Sequence, residues 1–257
     1  MSLPFETSSR VYDLLYKDKD YPAEADFIHR SLQRDGVAGQ TILELGSGTG
    51  LHSKLLAEMG HIMKGVDLSP GMIQRAEKLK AAQPENLRSK MEFHEGNVRT
   101  FKLGCKVDAV VSLFHVVSYQ VTNREVLEMF HNARDHLECG GLFLFDVWYG
   151  PSVLAEPPSV RIKRGGDAGM DVTRLCEPHL DVNQCRVDVN YTYLVRELPD
   201  GDVIESKETH RMRYYFQPEL EHLLQNSGFR LAKSFEWLTG KPLNSDTFGA
   251  CFIAEAI

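Results

Sequence analysis

ILELGSGTG, residues 42–50, decides the fold. A short apolar run, TILEL (41–45), ends in Gly46, Ser47, Gly48, Thr49 and Gly50, and a helical pattern starts directly after it. An apolar run of strand length that stops at a glycine cluster suits a buried parallel strand. Glycines are needed at such an edge where the chain must turn sharply and let a ligand approach main-chain atoms. A plain tight turn has no use for three alternating glycines, so this loop reads as a ligand cradle.

The spacing narrows the ligand. The dinucleotide fingerprint G-x-G-x-x-G sets a third glycine beneath a pyrophosphate. Counted from Gly46 that glycine would stand at position 51, where this chain has Leu51. The pattern is instead E-x-G-x-G-x-G, with Glu44 two residues ahead of the first glycine. An acid at the strand end suits a ligand without phosphates that carries a cation, as S-adenosylmethionine (SAM) does in its sulfonium and α-amino group. Asp67 closes the next apolar strand in GVDLSP, 21 positions after Gly46. An acid there accepts hydrogen bonds from both ribose hydroxyls. That feature suits NAD and SAM alike, so the glycine spacing carries the distinction.

Outward from the loop the elements alternate. Toward the N-terminus, 22–34 reads as a helix with Pro22 early and Ala25, Ile28 and Leu32 at helical spacing. Residues 8–17 read as a shorter helix opened by Ser8 or Ser9. Toward the C-terminus follow helix 50–59 closed by Gly60, strand 61–68, helix 70–82 opened by Pro70, and strands 91–96 and 106–113. An amphipathic helix, 123–137, carries Val126, Leu127, Phe130 and Leu137 inward and is closed by Gly140–Gly141; strand 141–148 comes next. This order predicts an α/β, Rossmann-like parallel sheet with helices on both faces. From about 158 to 215 the period falls to two, with a Pro199-Asp200-Gly201 hairpin signal, so an antiparallel β insertion of three or four strands follows the fifth strand. Helix 217–226 and strands 229–236 and 249–256 complete seven core strands ending in a hairpin. Residues 1–257 read as a single domain, with 1–38 a helical N-terminal cap and 158–215 an acceptor lid or homodimer surface.

Composition sets limits. A formal charge of −7 is poorly suited to sequence-independent binding of nucleic-acid backbones, which relies on Lys and Arg. The small cluster Arg161, Lys163 and Arg164 reads as a solvated loop. The five cysteines are odd in number and lack C-x-x-C spacing, so neither a disulfide framework nor a metal site is expected. No apolar stretch has the length of a membrane span, and MSLPFETSSR has no signal-peptide core, which points to a cytoplasmic protein.

On these motifs the chain resembles class I SAM-dependent methyltransferases over most of its length. ILELGSGTG is similar to the family's first motif, VDLSPGMI to its second and EGNVRTF (95–101) to its third. The resemblance implies SAM as cofactor and S-adenosylhomocysteine (SAH) as its product. It implies that Gly46 and Gly48, with Ser47 and Gly50 of the same loop, line the methionine part, that Asp67 holds the ribose, and that Leu68 and Met72 pack on the adenine. Asn97 stands where the family often has an Asp and would meet the adenine amino group through its side-chain carbonyl; Val98 would offer backbone groups. Glu44, Tyr21 and Leu113 complete the implied cofactor set. Within the family, YDLLYKDKDYPAEA (12–25), SLFHVVSY (112–119), FDVWYGP (145–151) and the insertion resemble sugar N-methyltransferases of the N,N-dimethyl-aminosugar type. Those enzymes carry a histidine near the acceptor amine where this chain has Tyr119.

Methyl transfer is an in-line displacement at an already activated carbon, so the protein mainly aligns the acceptor and excludes water. An amine acceptor must be neutral, and a hydroxyl acceptor needs a stronger base. His115, after the fourth strand, is a candidate base or acceptor anchor. Tyr16 and Tyr119 are the other candidate catalytic residues, and Tyr12, Trp148, Tyr149 and His210 the candidate acceptor contacts. Trp148 and Tyr149 would form an aromatic wall at the carboxyl edge of the sheet. His210 and Arg213 lie three residues apart on a strand, so they face opposite sides and one at most meets the cleft. His29, His52, His61, His94 and His222 have no clustered partners in the sequence and receive no role. A small-molecule O-methyltransferase, a non-catalytic SAM-binding protein and an NAD-dependent oxidoreductase remain as alternatives.

Overall fold

The computed structural model describes residues 6–33, 39–199 and 201–257. In chain order the elements are α1 (Glu6–Tyr16), α2 (Tyr21–Leu32), β1 (Thr41–Leu45), α3 (Leu51–Glu58), β2 (Ile62–Asp67), α4 (Pro70–Ala81), α5 (Glu85–Arg88), β3 (Met91–Glu95), β4 (Val107–Ser112), a 3-10 turn (Val116–Tyr119), α6 (Asn123–Asp135), β5 (Leu137–Tyr149), α7 (Gly150–Ala155), β6 (Arg161–Gly166), β7 (Met170–Asp181), a second 3-10 turn (Val182–Gln184), β8 (Arg186–Glu197), β9 (Val203–Tyr215), α8 (Gln217–Gln225), β10 (Phe229–Glu236) and β11 (Gly249–Ala256). The core strands lie in the order β3-β2-β1-β4-β5-β11-β10. The first five are parallel. β11 runs antiparallel between β5 and β10, as the expected closing hairpin requires.

Side-chain parity divides the core into two layers. Leu43, Leu45, Val110, Phe143 and Phe145 pack with α6 and α8 on one face. Ile42, Ala109, Val111 and Leu144 pack with α2 and α3 on the other. Period-two alternation of apolar residues on both sides is what a sheet covered by helices on both faces demands. From β1 the chain builds outward to β2 and β3 on one side and to β4 and β5 on the other. The carboxyl ends of β1 and β4 therefore border the topological switch point, where open α/β sheets bind ligands.

The helix closure expected at Gly140–Gly141 lies elsewhere. α6 ends at Asp135, and β5 begins at Leu137, which already pairs with Val107. The register with β4 then jumps to Ala109–Leu142, so both glycines belong to an irregular start of β5. Leu137 is a strand residue. At its other end β5 runs on to Tyr149, and there Trp148 and Tyr149 pair in parallel with Tyr214 and Tyr215 of β9. The insertion, a four-stranded antiparallel sheet β6-β7-β8-β9, hangs from that pairing. Arg161, Lys163 and Arg164 lie on β6 and not in a loop. Asp200 of the hairpin signal lies outside the described residues.

The insertion's inner face also follows parity. Val172 of β7 and Tyr193 and Val195 of β8 pack on Val11 and Leu15 of α1. Val187 and Val189 of β8 and Met212 and Tyr214 of β9 pack on Val153 of α7. Between these two apolar patches the same face carries Arg174, Tyr191 and His210, which open onto a cavity.

Candidate active site

A cavity of about 420 Å³ lies between the carboxyl ends of β1, β2 and β4, helix α1 and the insertion. Its size is that of an ordinary small-molecule or cofactor site. The glycine loop forms one wall. Gly46 sits at φ +83°, and a Cβ there would lie 2.5 Å from a methyl of Val116, so only glycine fits. The N–H of Gly48 donates to Asp67 Oδ2 at 2.9 Å, and that of Ser69 donates to Oδ1 at 2.8 Å. Both Asp67 oxygens are thus anchored to the backbone where the carboxylate lines the cavity. Burial pushes the Asp67 carboxyl above its ordinary 3.8, against the pull of the N–H groups of Ser69, Gly48 and Leu68. Ser47 Oγ is buried with no hydrogen-bond partner among the described residues. Leu68, a large apolar side chain left 56% exposed, and Met72 border the same wall.

Behind this loop lies a buried charged cluster. Glu44 accepts a hydrogen bond from Ser53 and lies 3.9 Å from His52 Nδ1. Burial raises the Glu44 carboxyl above its ordinary 4.5, opposed by His52 and Ser53. His52 Nε2 is 2.7 Å from Glu24 Oε2, Lys19 Nζ is 2.6 Å from the same oxygen, and Trp237 Nε1 donates to Glu24 Oε1 at 3.3 Å. Burial pushes Glu24 up, but its hydrogen bonds to His52 and Lys19 prevail and hold it below 4.5. His52 therefore has partners that the sequence did not reveal, and it lines the cavity. His29 and His61 also bond, at 2.8 Å, away from the site.

The floor follows β4. Phe114 and His115 both adopt φ 63°, a left-handed conformation that costs non-glycine residues of order 1–3 kcal/mol each. The turn brings the His115 N–H to the Asp146 carboxylate at 3.1 Å and His115 Nδ1 to within 2.7 Å of Asp146 Oδ2, with Asp146 1% exposed. Phe114 meets Tyr16 edge-on at 5.2 Å, and the Lys19 ammonium lies 4.0 Å from the Phe114 ring and 4.5 Å from that of Tyr21. Tyr12 and Tyr21 are hydrogen-bonded to each other. Burial drives Tyr12 well above 10 and Tyr21 up to about 12, so both remain neutral phenols.

The insertion supplies the opposite wall. Arg174 donates from Nη1 to Tyr16 Oη at 2.9 Å, and its guanidinium lies 4.7 Å from the Tyr191 ring. Among the described residues no carboxylate pairs with Arg174, and its Nε is buried without a hydrogen-bond partner. Tyr119 Oη lies 2.8 Å from His210 Nδ1, and His210 Nε2 lies 3.1 Å from Glu208 Oε2. Arg213 points to the other side, onto Asn123 and Glu219, as the odd spacing from His210 dictates.

Of the residues expected at the cofactor, Tyr21, Glu44, Gly46, Ser47, Gly48, Asp67, Leu68, Met72, Asn97, Val98 and Leu113 all line this one cavity; so do His115, Tyr16, Tyr119, Tyr12, Trp148 and His210. Three expectations need correction. Gly50 does not line the cavity: a Cβ there would meet the Phe93 ring at 2.7 Å, so this glycine serves the packing of α3 on the sheet. Tyr149 turns away from the site and packs in the core with α6 and α8, because neighbours on a strand face opposite sides and Trp148 takes the cavity side. Asn97 lines the cavity, but its carbonyl oxygen accepts from the N–H of Arg99 at 2.9 Å and from Arg99 Nε at 3.4 Å. The Val98 carbonyl is taken by Asn132 at 2.8 Å, so its amide is the backbone group left to present.

Arg174, Tyr191, Tyr193, Glu208 and Asp146 escaped the sequence reading. Parity could have found four of them. Arg174 shares a face with Val172, Tyr191 and Tyr193 with Val189 and Val195, and Glu208 with Met212, so polar groups interrupt a face that is otherwise apolar.

Residues 42–141 match the family model described as a methyltransferase domain. Over 254 residues the chain is 30% identical to a protein of Geobacillus sp. (strain WCH70) named as a methyltransferase, covering 98% of this chain and 100% of that one. Over 241 residues it is 29% identical to the dTDP-3-amino-3,4,6-trideoxy-alpha-D-glucopyranose N,N-dimethyltransferase of Streptomyces venezuelae, covering 93% of this chain and 94% of that one. Its fold is similar to that of an S-adenosylmethionine-dependent methyltransferase from Clostridium acetobutylicum ATCC 824, with a TM-score of 0.80 over 98% of each chain; at 20% identity that likeness is one of fold alone.

Proposed function

The chain belongs to the SAM-dependent methyltransferases, and on that premise we propose that it methylates the amine nitrogen of a small acceptor, an aminosugar carried on a nucleotide ahead of other amines. The NAD-dependent alternative falls with that membership, and turnover on any acceptor removes the non-catalytic one. The residues present fit SAM. The buried Ser47 hydroxyl lacks a partner among the described residues, the Asp67 carboxylate lines the cavity beside the glycine loop, and Glu44 supplies negative charge at the end of β1. When bound, SAM supplies a methyl carbon activated by its sulfonium, which takes the acceptor's lone pair as the carbon–sulfur bond breaks toward sulfur.

The chain's own groups then have simple tasks. Asp67 holds the ribose hydroxyls, Leu68 and Met72 cover the adenine, and the Val98 amide meets its edge. Trp148, Tyr12, Tyr16 and Phe114 enclose the acceptor and exclude water. His115, fixed by Asp146, orients the acceptor beside the glycine loop. The insertion acts as a lid within a single domain. The reading carries with it a soluble acceptor rather than nucleic acid, and a cytoplasmic place of work.

The observation that carries the acceptor reading is Arg174. A guanidinium with a buried, unsatisfied Nε and no carboxylate partner among the described residues is poised for an anion, and a planar fork suits a phosphate. A nucleotide-linked aminosugar brings both the anion and the amine. His115 against Asp146 favours a second reading, O-methylation, because that pair could serve a hydroxyl acceptor as base. Incubation with SAM and either dTDP-3-amino-3,4,6-trideoxy-α-D-glucopyranose or a catechol, followed by mass spectrometry, separates the two. Methylation of the amine is expected, and methylation of the phenol with refusal of the amine would overturn the proposal.

A further inference from the structure

The acceptor wall contains a hydrogen-bonded chain that packing alone does not explain. Tyr119 Oη, His210 and Glu208 run in line from the cavity into the insertion, at 2.8 and 3.1 Å. His210 and Glu208 are each 8% exposed. Their face of β9 continues into Met212 and Tyr214, and Val189 of β8 pairs with His210. An apolar residue at 210 would pack on Val189 without desolvation, whereas a buried histidine and carboxylate must recover their lost hydration. Tyr119 lines the cavity beside Phe114, His115 and Tyr16, so the outer end of the chain meets the acceptor space.

We propose that Tyr119, His210 and Glu208 form a proton relay that takes the proton from the acceptor ammonium before methyl transfer; this rests on the amine reading above. The step balances as one shift along the chain. A proton leaves the acceptor nitrogen for the Tyr119 oxygen while the phenolic proton passes to His210 Nδ1. The amine keeps its lone pair, Tyr119 stays a neutral phenol, and His210 ends as an imidazolium whose Nε2–H faces the Glu208 carboxylate. Burial holds the Tyr119 proton well above its ordinary 10, which keeps the phenol a carrier and makes the imidazole the resting place. Among the described residues, the other ionisable groups around the relay include Tyr191 and Tyr193 from β8, Tyr12 and Tyr16 from α1 and Arg174 from β7. The Glu208 carboxylate is the acid that faces the imidazole directly.

Tyr119 touches the acceptor and is the catalytic residue; His210 and Glu208 act through it. Two readouts test this. In the protein alone, the His210 imidazole is titrated by NMR on [13C]histidine-labelled chain, as wild type, Glu208→Gln and Tyr119→Phe. Loss of the carboxylate is expected to move the His210 midpoint down and loss of the phenol to move it measurably; a midpoint unmoved in both variants would overturn the relay without any reference to activity. Methyl transfer from SAM to dTDP-3-amino-3,4,6-trideoxy-α-D-glucopyranose is then followed from pH 6 to 10. Tyr119→Phe and His210→Asn are expected to lose about 10²-fold in kcat at pH 7 and to recover toward wild type as rising pH deprotonates the amine in bulk water. SAH binding within threefold of wild type certifies the fold of each variant. A deficit that stays constant with pH marks a structural role and sinks the relay, whereas a wild type inert toward amines sinks the amine reading itself.

Discussion

The two walls of the cavity are written into the chain in different ways. The cofactor wall is local. Gly46, Ser47, Gly48 and Asp67 lie within 22 residues of one another, and their work is done largely by backbone N–H groups and one carboxylate. The acceptor wall is assembled from afar. Arg174 reaches Tyr16 across 158 positions, and Tyr119 reaches His210 across 91. Backbone cradles demand particular residues at particular spacings, because a Cβ at φ > 0 or a missing acid destroys them. Side-chain walls demand only a shared face of a sheet, which many sequences satisfy. A cofactor wall of this kind serves one ligand throughout a family, while an acceptor wall is open to change.

That contrast can be broken at three points. The largest effect is expected at Gly46. Gly46→Ala places a Cβ 2.5 Å from Val116 and forces an alanine to φ +83°, so SAH affinity should fall by more than 10²-fold and stability by about 2–4 kcal/mol. Calorimetry and urea unfolding measure the two, and near-normal binding would mean that the loop is not a close cradle.

Trp148 and Tyr149 form the next test, because adjacent strand residues are assigned to different jobs. Trp148→Ala should raise acceptor KM about tenfold with little change in SAH affinity. Tyr149→Ala should leave acceptor KM unchanged and cost about 1–3 kcal/mol of stability, through packing lost beside α6 and α8. Equal effects on KM would erase the distinction between cavity side and core side.

The smallest effect is one of pH. Asp67 and Glu44 are raised by burial above 3.8 and 4.5. A carboxyl raised in the folded state contributes stability present below its unfolded value and lost as pH rises through the folded one. Both groups therefore weigh against folding at neutral pH and are kept for the ligand. SAH affinity should weaken as pH falls, beginning above the range of ordinary carboxyls, by up to about tenfold per pH unit for each carboxyl once it is protonated, while these two carboxyls cease to oppose folding. Calorimetric titrations from pH 7.5 down to the ordinary carboxyl range at about 4 should show the decline, and affinity flat over that whole range would remove both carboxylates from the cofactor's contacts.

What the sequence made legible follows the same division. The strand order, the insertion after β5 and the closing hairpin were all readable, because glycine-punctuated alternation and period-two runs are local signals. Gly50 was misjudged because a glycine packed against Phe93 looks, in sequence, like one beside a ligand. Tyr149 was misjudged because β5 continues one residue past its expected end at 148, so alternation still applied there. Arg174 and Glu208 were missed because their meaning lies in which face of the insertion they share, and that depends on pairings 11 to 19 positions distant. His52 was missed because its partners, Glu24 and Glu44, converge only when α2 docks beside α3.

The central claim is that the two walls act separately, and one calorimetric series tests it: SAH titrated into wild type, Asp67→Ala and Arg174→Ala at pH 7.5. Wild type and Arg174→Ala are expected to bind SAH alike, within threefold, while Asp67→Ala loses at least 10²-fold. Loss of SAH binding in Arg174→Ala comparable to that in Asp67→Ala would contradict the account, since the guanidinium would then belong to the cofactor and not to the acceptor.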